Sequence, residues 1–145
     1  MKRVHILLVE DNEGDILLTR EALEECQIDH DLSVVRDGKE AIQFLLREEP
    51  YSAVKTPNLV LLDINLPKKS GVEVLKTLKT EDEIKHIPVI MLTTSSSESD
   101  VMNSYKNHAN CFITKPVNID EFIRTFSMIN KFWLHTAVLP INVPV

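Results

Sequence analysis

Long apolar runs are missing from this chain of 145 residues. A membrane-spanning helix needs about 20 consecutive apolar residues, so none is expected. A positive charge balance is missing too. Lysine and arginine number 16 against 22 acids, a net charge of -6. Phosphate backbones select basic faces, so nucleic acid is not an expected partner. Cysteine is scarce. Cys26 and Cys111 lie far apart and fit no metal-ligand spacing, so two reduced thiols are expected. The histidines (His5, His30, His86, His108 and His135) form no ligand pattern either. A secretory signal is not expected: the run from Val4 to Val9 is broken by His5 and meets Glu10-Asp11, not a small-residue cleavage site. There is no repeat, no low-complexity tract and no linker before the last dozen residues. The expectation is one compact, soluble, cytoplasmic domain.

What is present is an alternation. Short apolar runs at Val4–Val9, Leu32–Val35, Leu59–Leu62, Val89–Leu92 and Cys111–Ile113 read as strands covered on both faces. Amphipathic stretches separate them. Ile16, Thr19, Leu23 and Cys26 share one helical face. Ala41, Ile42, Leu45 and Leu46 form a second stripe, and Val72, Leu75 and Leu78 a third. Val101, Tyr105 and His108 suggest a fourth. Ile119, Phe122, Phe126, Ile129 and Trp133 form a sustained fifth, with Asn118 as N-cap and Glu121 completing a capping box. Phe122, Phe126 and Trp133 read as core or helix face, with part of that surface open to an interface.

Five βα units in a row predict an α/β fold, a doubly wound five-stranded parallel sheet flanked by helices. Ligands in such folds bind at the carboxyl edge of the strands. Four strand ends carry polar groups there: Glu10-Asp11, then Asp63-Ile64-Asn65, then Thr93-Thr94, then Lys115-Pro116. Acids gathered at one edge repel unless a cation neutralises them. Mg²⁺ suits them, because it takes oxygen ligands and uses few carboxylates beside phosphate oxygens. Asp11 and Asp63 would supply carboxylates and Asn65 a backbone carbonyl. Glu10 would act directly or through water. A carboxylate beside Mg²⁺ can also be a nucleophile and form an acyl phosphate. Lys115 would then pair with the phosphoryl oxygens, and the Thr93 hydroxyl would complete its bonds only when phosphate is present.

The stretches Ile6–Asn12, Leu59–Pro67 with Gly71, Ile87–Thr94 and Phe112–Pro116 together resemble the receiver domains of bacterial two-component response regulators. The likeness runs to about Lys131. It implies a flavodoxin-like sheet of order 2-1-3-4-5 and a receiver domain over residues 3–132. It implies Asp63 as phosphoacceptor, Glu10 and Asp11 as the acidic metal pair, and Lys115 as the phosphate-pairing lysine. Thr93 and Phe112 would be the switch pair, and Lys115-Pro116 a cis peptide. It also implies a histidine kinase as donor. The segment His108–Pro116, with Phe132-Trp133-Leu134, is similar more narrowly to the small regulators paired with bacterial phytochrome kinases. Two positions depart from the pattern: Glu10 stands where Asp is commoner, and Asn110 where many receivers have a glycine. Asn tolerates left-handed backbone, which would make Asn110 a mild change.

Rival classes fare worse. A haloacid dehalogenase-type phosphatase wants a second Asp where Asn65 stands. A flavodoxin-like flavin carrier wants a Gly- and hydroxyl-rich loop, not Glu10-Asp11. A pseudo-receiver would have lost its acceptor or lysine. Lys68-Lys69 reads as a solvated turn or as a kinase contact. The segment 133–145 is apolar and contains Pro140 and Pro144, so it cannot continue the helix. It is expected to pack on its own domain or on a second copy, with the fourth and fifth helices and the fifth strand forming a homodimer interface. No output domain is expected after so short a remainder.

Overall fold

Residues 3–27, 29–95 and 97–140 are described by the computed structural model. Met1, Lys2, Ile28, Ser96 and the end of the apolar tail, Ile141 to Val145, lie outside them. The order is β1 (Val4–Val9), α1 (Glu13–Glu25), β2 (His30–Val35), α2 (Gly38–Leu45), β3 (Leu59–Leu62) and α3 (Gly71–Thr80). It continues with β4 (Val89–Thr93), α4 (Glu98–Lys106), β5 (Cys111–Thr114) and α5 (Ile119–Ile129), then a π-helical segment (Asn130–Thr136). All five strands are parallel in the order β2-β1-β3-β4-β5. The flavodoxin-like arrangement is the observed one.

The strands alternate between two cores, as the pleat requires. Leu7 and Val9 of β1 point to the α2–α3 side, with Phe44, Val74 and Leu75. Ile6 and Leu8 point to the α1–α5 side, with Ile16, Leu23, Phe122 and Phe126. β2 starts at His30, two residues earlier than its apolar run, because the ladder pairs Val4 with His30 and His5 with Asp31. A polar residue on a half-covered strand gives no apolar signal. β4 includes Thr93 and β5 includes Thr114, which pair with each other.

The helices are held unequally. A fully buried large apolar side chain contributes about 2 kcal/mol. α5 buries Phe122, Phe126 and Ile129, whereas α4 buries only Ser104. The expected stripe Val101, Tyr105 and His108 is not the inward face: Tyr105 and His108 are exposed, and His108 lies past the helix with φ 71°. On α2, Phe44 is inside and Leu46 outside, since the helix ends at Leu45.

Other local expectations shift. Asn118 does cap α5, accepting from the amides of Asp120 and Glu121. The reciprocal capping box is instead at Ser70 and Glu73 on α3. Asn110 is not left-handed. Its side-chain carbonyl accepts from the Val89 amide at 2.9 Å and from Lys79 Nζ at 3.1 Å. Its value is therefore an acceptor that a glycine lacks. The Lys115-Pro116 peptide is trans, and among the described residues the cis peptide is Glu49-Pro50. Trans is the cheaper form by about 0.5–1 kcal/mol, and the trans backbone already brings Lys115 to the carboxylates. The fifth stripe continues past α5 in π register, which sets Trp133 and Leu134 against the α1–α5 core. Leu139 is buried in the same core.

Two glycines fix the loop after β3. A Cβ on Gly71 would fall 2.0 Å from the Asp63 carbonyl oxygen, and one on Gly38 would fall 2.0 Å from that of Lys69. The Gly71 amide donates to Ile64 O at 2.8 Å, and Gly38 to Pro67 O at 3.1 Å. Backbone, not a movable side chain, fills both places. Gly71→Ala is expected to cost about 3 kcal/mol, at the upper end for overpacking. Urea unfolding of the variant measures it, and a loss under half that value would show that the loop yields.

Candidate functional site

The carboxyl ends of β1, β3, β4 and β5 meet at one edge, and each brings a polar side chain. Glu10 follows β1. Its amide extends the ladder to Val35 O at 3.0 Å, and its side chain accepts from the Asn12 amide at 3.1 Å. Asn12 caps α1 by accepting from the Asp15 amide at 2.9 Å. Asp63 follows β3, where its amide donates to Val9 O at 3.1 Å. Its Oδ1 accepts from the Asn65 amide at 3.3 Å. Lys115 follows β5 and donates its amide to Thr93 O at 2.7 Å. Each anchor is a continuation of a sheet ladder, so the edge is set by rigid elements.

Lys115 crosses to the other strands. Its Nζ donates to Glu10, to Asp15 Oδ2 at 2.9 Å and to Asp63 Oδ2 at 3.1 Å. Burial alone would lower this ammonium, but the bonds to Glu10 and Asp15 and the charges of Asp63 and Glu10 outweigh it and hold it above the ordinary lysine value. Burial also works on Glu10. It pushes that carboxyl up to about 7, with Asp63 adding to the push while Lys115 and the Asn12 amide oppose it. Glu10, Asp63 and Lys115 are all buried; Asp11 is exposed.

Asp15 was not among the residues expected here. An acid in a first helical turn is ordinarily accounted for by the helix dipole, which hides a second task. The available signal was Asn12: an N-cap there turns the first residues of α1 toward the strand ends.

Carboxylate oxygens of Glu10, Asp11 and Asp63 lie within 4.8 Å of one another. With Asp15 there are four carboxylates beside one ammonium. An all-oxygen, negatively charged set of this kind fits a hard divalent cation. Asn65 lies in the same loop, two residues after Asp63. Thr93 is fully buried, and its hydroxyl accepts from the Ser95 amide at 3.3 Å. Ser97 caps α4, its hydroxyl accepting from the Asp100 amide at 3.1 Å. Phe112 stands apart from the acids. It pairs with Met91, two ladder steps before Thr93, and packs half-buried against the α2–α3 core. Its amide donates to the Tyr105 hydroxyl at 3.2 Å.

Similarity to known proteins runs along the whole of this architecture. Residues 6–127 match the model of the response regulator receiver domain. The chain is 47% identical over 135 residues to response regulator Rcp1 of Synechocystis sp., covering 93% of this chain and 92% of that one. The phosphorylated cyanobacterial phytochrome response regulator RcpA superposes with a TM-score of 0.93 at 45% identity, over 96% of this chain and 99% of that one. The Mn²⁺-bound form of Rcp1 superposes with a TM-score of 0.91 at 46% identity, over 94% and 99%. A metal-bound relative of this likeness agrees with the acidic donor set. With the sheet order, the gathered carboxylates and the buried lysine, this places the chain in the response regulator receiver family, a family of signalling switches.

Proposed function

We propose that the chain takes a phosphoryl group from the phosphohistidine of a histidine kinase onto Asp63 and signals through the surface change that follows. The observation carrying this is Lys115 Nζ at 3.1 Å from Asp63 inside a buried acidic pit. An Asp63 carboxylate oxygen attacks phosphorus, the P–N bond breaks, and its electron pair returns to the imidazole. Lys115 donates to the phosphoryl oxygens and offsets their charge. Glu10, Asp11 and Asp63 would hold Mg²⁺, with the Asn65 carbonyl as a further oxygen. When bound, the ion neutralises charge on the transferring group and orients it. Water later attacks phosphorus, the P–O bond to Asp63 breaks, and inorganic phosphate leaves as the carboxylate is restored. The chain thus catalyses only its own loading and resetting.

The Thr93 hydroxyl already accepts from Ser95, and its own O–H is the group to donate to the phosphoryl group. Phe112 moves inward with it. Phosphate contacts available in one conformation only shift the population toward that state. The loose attachment of α4 supports this, since few buried contacts resist its movement.

Leu17, Val117 and Ile119 are exposed apolar side chains. Exposed apolar side chains of this kind suit contact with a kinase helix. Likeness to the phytochrome response regulator RcpA makes a phytochrome kinase the donor to test first. A second copy is the proposed occupant of the α4–β5–α5 face and the extension from Trp133. There, Ile113, Met128, Phe132 and Trp133 line an apolar groove of about 340 Å³. Incubation with a ³²P-loaded phytochrome kinase should move the label to this chain and raise its mass in light scattering. Label that stays on the kinase counts against the donor, and unchanged mass against the dimer.

A further inference from the structure

Lys115 has three N–H donors and no acceptor. Three carboxylates take them: Glu10, Asp15 at 2.9 Å and Asp63 at 3.1 Å. A phosphoryl oxygen that is to receive a bond from Lys115 must displace one of these acceptors. They are not equally displaceable. The side chains of Glu10 and Asp63 are 3% and 8% exposed, whereas that of Asp15 is 28% exposed. Asp63 itself becomes the acyl phosphate, so the choice among carboxylates lies between Glu10 and Asp15, and a buried Glu10 stripped of its cation would be left without compensation. Asp15 can turn into water instead. Its backbone need not move, because Asn12 and Thr19 hold it at 2.9 and 2.8 Å.

We propose that Asp15 is the exchangeable partner of Lys115: it holds the ammonium in the resting chain and is expelled when a phosphoryl group arrives. This rests on Asp63 being the phosphoacceptor. Asp15 is then a positioning residue that sets the cost of the phosphorylated state. Two effects share one sign. The bond between Asp15 and Lys115 must be given up, and the remaining negative charge repels the incoming phosphoryl oxygens.

The test is calorimetric affinity for beryllofluoride, an inert mimic of the phosphoryl group, at saturating Mg²⁺. Asp15→Asn is nearly isosteric and removes the charge. It should bind about fivefold more tightly than the natural chain, the loss of one partly exposed charged hydrogen bond from the resting state. Asp15→Glu should return to within about twofold of the natural value, because the carboxylate is restored. A merely structural role would lower the unfolding temperature of Asp15→Asn and leave this affinity alone. Equal or weaker binding by Asp15→Asn overturns the exchange. No binding to the natural chain, or equal binding to Asp63→Asn, overturns the phosphoacceptor assignment instead.

Discussion

Asp63→Asn is expected to stop phosphotransfer while the fold stays intact. The two side chains have the same shape, so the place after β3 remains filled. The amide oxygen can still accept from the Asn65 N–H, which meets Asp63 Oδ1 at 3.3 Å. Lys115 keeps Glu10 and Asp15 as partners. One negative charge leaves a pit that holds four carboxylates and a single ammonium, so the resting chain loses little stability or gains some. The chemistry does not survive. The lone pair of an amide is delocalised and carries no charge, so it is a poor nucleophile toward phosphorus. Transfer should fall below about 1% of the natural rate, as expected when the attacking group itself is removed. Radiolabel transfer measures the rate and far-ultraviolet circular dichroism the fold. A folded variant labelled at the normal rate would place the acceptor elsewhere.

Most of the fold could be read from alternation alone, because parallel strands covered on both faces stand out as apolar blocks. Asp63 and Lys115 could be read because each ends such a block. The misses have physical causes. His30 and Asp31 pair in β2 without being apolar, so only the ladder reveals them. Tyr105 looked inward because its spacing from Val101 is helical. Yet α4 is polar enough to be held by Ser104 and by the hydroxyl that takes the Phe112 amide. The π register after α5 obeys packing of Trp133, which periodicity cannot distinguish from continued α-helix. Asp15 has two roles at one position, and sequence shows only the commoner. Asn110 stands in the sequence as a substitute for a glycine backbone, whereas its side chain makes the contacts that matter.

Lys115→Ala should have the largest cost in stability. Its side chain is 4% exposed, and it faces Glu10 and Asp63 at 3% and 8%. Replacement by well-packed apolar groups throughout would be tolerable, but removal of one partner leaves buried carboxylates without a cation. Such changes cost about 3 kcal/mol or more. The loss should shrink as pH falls, and the sign follows from proton binding. Burial already pushes Glu10 up to about 7 despite the opposing pull of Lys115. Without that pull, its folded value rises further above the unfolded one. The folded variant then binds more protons than the unfolded chain across this range, so its stability increases toward acid. Chelator-treated protein should therefore show a large deficit above neutrality and a smaller one near pH 5. Added Mg²⁺ should restore part of the loss, since an ion bound by the folded carboxylates stabilises them by mass action. Any aspartyl phosphate that forms should leave the α4–β5–α5 surface as it was, because no ammonium bridges β5 to the phosphoryl group. A variant as stable as the natural chain in chelator, or one whose amide exchange in α4 still changes with beryllofluoride, would mean that Lys115 neither neutralises the pit nor transmits the switch.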